Sequence, residues 1–162
     1  MMKKFLISFV IVLATLIGGS ALNVGTTTAQ AAMKQRTVKV APKKMRGTWY
    51  NYLGKKAGMY KLVIKKHRFT SSMGNQYKYT LPSLTITKWS QKGKRSTYNF
   101  NSKTHPGDTA SYFTMTMKIR GKKRTVIASP QQDASLKPIV FTHFKTKHQY
   151  FAPLSIQKHL AF

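Results

Sequence analysis

The 162-residue chain has 29 Lys and Arg, two acidic residues, no cysteine and a formal net charge of +27 at pH 7. The missing cysteine excludes disulfides and thiol nucleophiles. The two acids, Asp108 and Asp133, are too far apart in the sequence to be read as the paired carboxylates of acid–base catalysis.

The first 31 residues have the three-part organisation of a signal peptide. Lys3 and Lys4 precede an apolar run at 5–17, and Ala29-Gln30-Ala31 supplies a small-x-small cleavage pattern. As a helix the apolar run is about 20 Å long, shorter than a hydrocarbon core of about 30 Å. We therefore expect cleavage before Ala32, secretion, and no transmembrane segment in the mature chain. Loss of the two lysines lowers the net charge from +27 to +25.

Residues 32–45 form a polar, basic lead-in, in which the alternation of Val38 and Val40 suits a short edge strand. Residues 46–162 are predicted to form one domain. Strand-like segments recur there between Gly- and Pro-containing turns. The eight candidate strands are 47–53, 59–69, 77–89, 96–101, 111–120, 124–129, 139–146 and 150–156.

The predicted fold is all-β: a single small antiparallel barrel or sandwich with about eight strands in an up-and-down meander. The clearest alternation occurs at 111–120. One face of that segment is apolar and is expected to point into the core. This face contains Phe113, Met115, Met117 and Ile119.

Alternate connections of such a meander share one end, and the first, third, fifth and seventh contain no acid. They supply the candidate polyanion-binding residues Lys55, Lys56, Lys92, Lys94, Arg95, Arg120, Lys122, Lys123, Arg124, Lys145 and Lys147. A second basic group is expected toward the other end: Lys43, Lys44, Arg46, Lys65, Lys66 and Arg68. If Pro82 marks a turn, every later connection changes side. The alternative is that these are ordinary solvated turn residues.

The sequence predicts no catalytic residue, no metal site and no cofactor, and we expect that the protein is not an enzyme. The segment 104–108, which combines Thr104, His105 and Asp108, is interpreted as a tight turn. The histidines His67, His105, His143, His148 and His159 have no HxH or HExxH spacing. Lys78, which lies between Tyr77 and Tyr79, leaves non-specific nucleic-acid binding open, although a core role for the aromatic residues is favoured.

The segment Arg46-Gly47-Thr48-Trp49-Tyr50 resembles the glycine-x-tryptophan opening of lipocalin-type barrels, where the tryptophan closes the barrel floor. The Thr-Asp-Tyr turn of those proteins is absent from the sequence. The chain's layout, with its lysine-containing signal peptide, basic lead-in at 41–45 and RGTWY opening, also resembles small secreted basic proteins of lactic acid bacteria. That resemblance implies an extracellular location.

These patterns favour a secreted, non-enzymatic binding protein that attaches non-covalently to the cell wall. The expected partner is an anionic polymer: teichoic acid, polysaccharide or nucleic acid. The alternative is a lipocalin-like carrier of a small apolar ligand, in which the apolar face at 113–119 lines a pocket. A cationic protein that attacks membranes is a third possibility, but the sequence has no amphipathic helix.

Overall fold

A computed structural model describes residues 31–74, 77–81, 83–102 and 109–161 of the chain. The compact unit to which they belong begins at Ala31. Three features of the sequence analysis lie outside the described residues: the signal peptide up to residue 30, Pro82, and the 104–108 segment with Asp108.

The described residues form twelve strands and two short 3-10 helices. The strands are β1 (Lys34–Val38), β2 (Gly47–Tyr52), β3 (Met59–Ile64), β4 (Phe69–Met73), β5 (Tyr77–Leu81), β6 (Leu84–Ser90), β7 (Arg95–Ser102), β8 (Ser111–Ile119), β9 (Lys122–Ser129), β10 (Ile139–Phe141), β11 (Tyr150–Phe151) and β12 (Leu160–Ala161). The 3-10 helices are η1 (Lys43–Met45) and η2 (Leu154–His159).

The strands form two sheets. The smaller sheet has the order β2-β3-β4-β5, and the larger has the order β1-β6-β7-β8-β9-β10-β11, with β12 paired in parallel to β7. All other strand pairs among the described residues are antiparallel. The predicted all-β, antiparallel fold is confirmed, in its sandwich form rather than as a closed barrel.

One side of the sandwich is bridged by backbone hydrogen bonds. The Tyr50 N–H donates to the Thr142 carbonyl at 2.7 Å, and the Thr142 N–H donates back to Tyr50 at 2.9 Å. The buried Asn51 side chain also donates from Nδ2 to the Val140 carbonyl. These bonds place β10 antiparallel to β2, so the start of β10 lies beside the end of β2.

An aromatic core fills the space between the sheets. Trp49, Phe100 and Phe141 are fully buried there, and Phe69 stacks on Phe100 with ring centroids 4.9 Å apart. Tyr112 belongs to the same cluster. Burial raises the pKa of its hydroxyl well above the usual value, and the neighbouring Tyr60 adds to that shift.

A second apolar cluster lies on the outer face of β8, β9 and β10. Its buried members are Phe113, Ile119, Val126, Ala128, Val140, Ala152 and Leu160. The predicted apolar face of β8 is therefore a core face, but it packs beneath the C-terminal segment (residues 150–161) instead of pointing between the sheets. Because successive strand residues alternate, the opposite face of β8 and β9 sends Tyr112 and Ile127 into the first core.

Two of the predicted strands are each divided. The predicted strand 59–69 reverses at 65–68, where the Lys65 N–H donates to the Arg68 carbonyl at 2.8 Å and β4 turns back along β3. The predicted strand 77–89 divides into β5 and β6, which pair with different neighbours. The chain passes there from one sheet to the other, so this break is not a hairpin.

Candidate anion-binding groove

Nine of the eleven predicted polyanion-binding residues lie at or next to the ends of strands on one side of the sandwich, near the start of β2. Arg95 lines one groove with residues next to Gly47, the first residue of β2. Arg120 and Arg124 lie over the Phe144 ring, at 5.4 and 4.7 Å from its centroid, and Phe144 precedes Lys145. The other six of the nine are sequence neighbours of these groups: Lys92, Lys94, Lys122, Lys123, Lys145 and Lys147.

Lys55 and Lys56 are not part of this group. They occupy the connection between β2 and β3, which the Gly58 N–H closes by donating to the Gly54 carbonyl at 2.9 Å. The six residues of β2 separate that connection from Gly47 by roughly 20 Å of extended chain. The structure therefore does not bring Lys55 and Lys56 together with Arg95.

The physical reason is the additional reversal at 65–68. With that turn, three strand lengths separate the 53–58 connection from the 91–94 connection: β3, β4, and β5 followed by β6. The predicted number was two, so the two connections lie at opposite ends and not at the same end. The same turn corrects the position expected for the second basic group. Lys43, Lys44 and Arg46 line the same groove as Arg95 instead of occupying the other end.

The groove has a volume of about 560 Å³ and is open to solvent. Four basic side chains line it together with one histidine, one methionine and three threonines. The lining residues are Lys43, Lys44, Arg46, Arg95, Thr114, Met115, Thr116, Thr125 and His143. Basic and hydroxyl side chains are the usual protein partners of phosphate and related anions.

Both arginines of the groove are anchored to backbone. Arg46 donates from Nε to the Ala41 carbonyl at 2.9 Å, and Arg95 donates from Nη1 to the Thr114 carbonyl at 2.7 Å. Each bond uses one of the five N–H donors of a guanidinium group. The bonds thus position the side chains while leaving most of their donor capacity for a ligand.

The threonines come from facing positions of the β8–β9 hairpin. Thr116 is directly opposite Thr125, and both side chains are exposed. The next pair on the same face is Lys118 opposite Lys123. Directly opposed like charges destabilise a sheet, and a bound anion would relieve that repulsion.

Gly47 brings His143 onto the buried indole of Trp49. The two rings stack with centroids 3.5 Å apart, and Trp49 Nε1 donates to the Met45 carbonyl at 2.8 Å. A Cβ on Gly47 would lie 2.9 Å from His143 Cε1, and the φ of +128° at this position also favours glycine. The glycine thus allows a histidine side chain to cover the tryptophan and line the groove.

Two cation–π contacts to Phe144 stabilise the β8–β9 hairpin beside the groove. Phe144 packs against the second apolar cluster, and the guanidinium groups of Arg120 and Arg124 lie over its ring. The Arg124 Nε is buried and has no hydrogen-bond partner, so the aromatic face is its main compensation.

Asp133, the acidic residue within the described part of the chain, is distant from the groove. It lies in the 130–138 connection before β10, beside the end of β2. Hydrogen bonds from the Ser135 side chain and backbone N–H lower the pKa of its carboxyl group. With Asp108 outside the described residues, the groove has no described carboxylate to neutralise its cations.

The described residues contain no group of three or more His, Cys, Asp or Glu side chains arranged to hold a metal ion. Neither of the 3-10 helices found there approaches the length and apolarity of a membrane span.

Sequence reasoning missed the contribution of η1 and of the threonines. The convergence of η1 with Arg95 was predictable only with the correct strand count. The alternation at 111–120 places Thr114 and Thr116 on the face opposite Phe113, but no threonine was among the predicted anion-binding residues. Comparisons with known proteins add no assignment, since no family model, characterised protein or solved structure matches the chain.

Proposed function

We propose that the protein is a secreted, non-enzymatic binding protein that attaches to anionic polymers of the cell surface by electrostatic attraction. The observation that supports this most directly is the groove at the start of β2, where Lys43, Lys44, Arg46 and Arg95 converge with no described acid nearby. A convergent set of uncompensated charges raises the local concentration of polyanions and accelerates their association.

The alternative carrier function has less support. The space between the sheets is occupied by Trp49, Phe100 and Phe141, each with no more than 1% of its surface exposed. The apolar face of β8, considered as a pocket lining, packs against the C-terminal segment. Trp49, the tryptophan of the lipocalin-like opening, is buried in a filled aromatic core.

Salt-dependent elution from an immobilised polymer tests the proposal. We expect the mature protein to be retained on poly(glycerol phosphate) at 50 mM NaCl and released as salt rises. Engagement of 6 to 10 phosphates predicts a loss of affinity on the order of 10³ to 10⁵ between 50 and 200 mM salt, by analogy with DNA. Failure of the parent protein to bind any anionic polymer at 50 mM salt would contradict the proposed function.

A charge-matched pair of variants locates the binding surface. The test variant replaces six basic residues near the groove with Gln: Lys92, Lys94, Arg95, Lys122, Lys123 and Arg124. The control replaces six exposed basic residues elsewhere: Arg36, Lys55, Lys56, Lys61, Lys78 and Lys137. Because both sets remove the same charge, earlier elution of the test variant alone identifies the side of the sandwich near the start of β2 as the attachment surface.

A further inference from the structure

We propose that the groove is a phosphate-binding site that takes the phosphodiester group of an anionic chain, whereas the remaining basic surface supplies only long-range attraction. The inference rests on the proposed function for the origin of its ligand, a phosphate-containing polymer. It adds a local site with defined donors to what charge alone provides.

The floor of the groove differs from the rest of the inner sheet face. Tyr112 and Ile127 are buried in the first core, and one step further along the hairpin the inner face changes to Thr114, Thr116 and Thr125. An ordinary sandwich strand would continue with apolar residues on this face. Three threonines instead line the groove, and a threonine hydroxyl is able to donate a hydrogen bond to a phosphate oxygen.

The rim supplies directional donors above this floor. The hydrogen bonds from Arg46 and Arg95 to backbone carbonyls hold each guanidinium group in position, and Lys43 and Lys44 add two point charges from η1. A planar guanidinium binds two oxygens of one phosphate at once, while an ammonium group acts as a single charge. The groove therefore combines both types of phosphate partner.

The number of donors favours phosphate over carboxylate. Four cations and three threonines converge on one groove, and a phosphodiester offers two non-bridging oxygens that share one negative charge and two ester oxygens in a tetrahedral arrangement. A uronate carboxylate offers only two coplanar oxygens. The Lys118–Lys123 pair next to the threonines extends the same surface to a neighbouring phosphate of the chain.

Among the described residues that line the groove there is no Trp, Tyr or Phe ring for stacking a base. Trp49 is fully buried, and the His143 ring covers it at a centroid distance of 3.5 Å. The site is therefore expected to recognise the phosphate backbone, which polyol phosphates and single-stranded nucleic acids share, and not the bases.

NMR titration with inorganic phosphate tests the site directly. At 150 mM NaCl we expect saturable shifts at the amides of Thr114, Thr116 and Thr125 and at the Nε groups of Arg46 and Arg95. Sodium acetate at the same ionic strength should cause none. Shifts spread over all basic residues without saturation, or equal responses to acetate, would overturn the inference.

Two variants connect these shifts to the donors. Thr116→Val with Thr125→Val removes two hydroxyls while keeping β-branched shape and strand propensity, so the fold is retained. Arg46→Gln with Arg95→Gln removes two cations, and Lys55→Gln with Lys56→Gln is its charge-matched control at the other end. We expect phosphate affinity to fall about tenfold or more in the first two variants and less than about twofold in the control.

Polymer binding separates the possible sources of the phosphate and the two proposals. The arginine variant should weaken binding to poly(glycerol phosphate) and to an oligothymidylate with the same number of phosphates by similar factors. Its binding to polygalacturonate should decrease no more than that of the Lys55/Lys56 control. Equal losses for all three polymers would refute a phosphate site while preserving electrostatic attachment. A parent protein that binds no polymer refutes the proposed function, and the phosphate titration then still decides the site.

Discussion

Gly47 is the residue whose identity is most tightly tied to the groove. Its φ of +128° excludes most side chains, and the space beside its Cα is taken by His143. His143 Nδ1 lies 3.0 Å from the Thr48 carbonyl, which fixes the ring over Trp49. The glycine and tryptophan of the RGTWY opening therefore have a local explanation. Trp49 stacks on His143 and closes the core beneath the groove, and Gly47 leaves the space that the imidazole needs.

Gly47→Ala tests this explanation at the residue scale. We expect a loss of roughly 1–3 kcal/mol in the free energy of unfolding, since backbone strain adds to the clash with the imidazole. In a His143→Ala background the clash disappears, so the same substitution should cost less. Urea denaturation followed by tryptophan fluorescence gives all four free energies of the double-mutant cycle. A coupling energy of zero would show that the His143 contact is irrelevant and that strain alone acts.

Among the strands, β8 and β9 form the element that carries most of the functional argument. One face of their hairpin packs Phe113 and Val126 under the C-terminal segment, and the other changes from core residues to hydroxyls at the groove. The connecting residues Arg120 and Gly121 have φ of +50° and +77°, the signs required by a two-residue type I′ turn. Packing under the C-terminal segment holds the hairpin from its outer face, while the threonines of its inner face border the groove.

The C-terminal segment should contribute to stability through its buried residues, of which Leu160 has the largest side chain. Leu160 is 5% exposed against the second cluster, whereas Leu154 in the same segment is 41% exposed. Leu160→Ala is expected to cost about 2–5 kcal/mol, as core truncations do, and Leu154→Ala less than about 0.5 kcal/mol. Chemical denaturation midpoints measure both. Similar midpoints for the two variants would mean that the segment does not cover the cluster in solution.

Period-two alternation predicted the strands well because it reflects local side-chain direction. The missed reversal at 65–68 has no such signal: Lys65-Lys66-His67-Arg68 contains neither Gly nor Pro, and strand-like residues continue on both sides. That single turn fixes which end each later connection occupies. The groove was therefore only partly predictable, since its residues come from η1, β7 and the β8–β9 hairpin, which are joined only by tertiary structure.

At the scale of the whole molecule, the charge that favours a polyanionic partner opposes folding. The mature chain would have a net charge of +25, given the predicted cleavage, and its basic residues have almost no carboxylates to pair with. Self-repulsion of this kind destabilises the compact state and is screened by salt. The same repulsion is strongest where Lys118 opposes Lys123 and where the groove collects four cations.

Thermal unfolding in NaCl therefore has a definite expected direction. Raising NaCl from 0.01 to 0.1 M shortens the Debye length from about 30 to about 10 Å, so the melting temperature should rise. A gain of about 1–2 kcal/mol corresponds to roughly 3–8 °C for a domain of this size. The six-residue Gln variant near the groove should respond less to salt than the parent, because part of the repulsion has been removed. A melting temperature that stays constant or falls with added NaCl would mean that favourable charge interactions offset the repulsion, and that the fold does not need an anionic partner for relief.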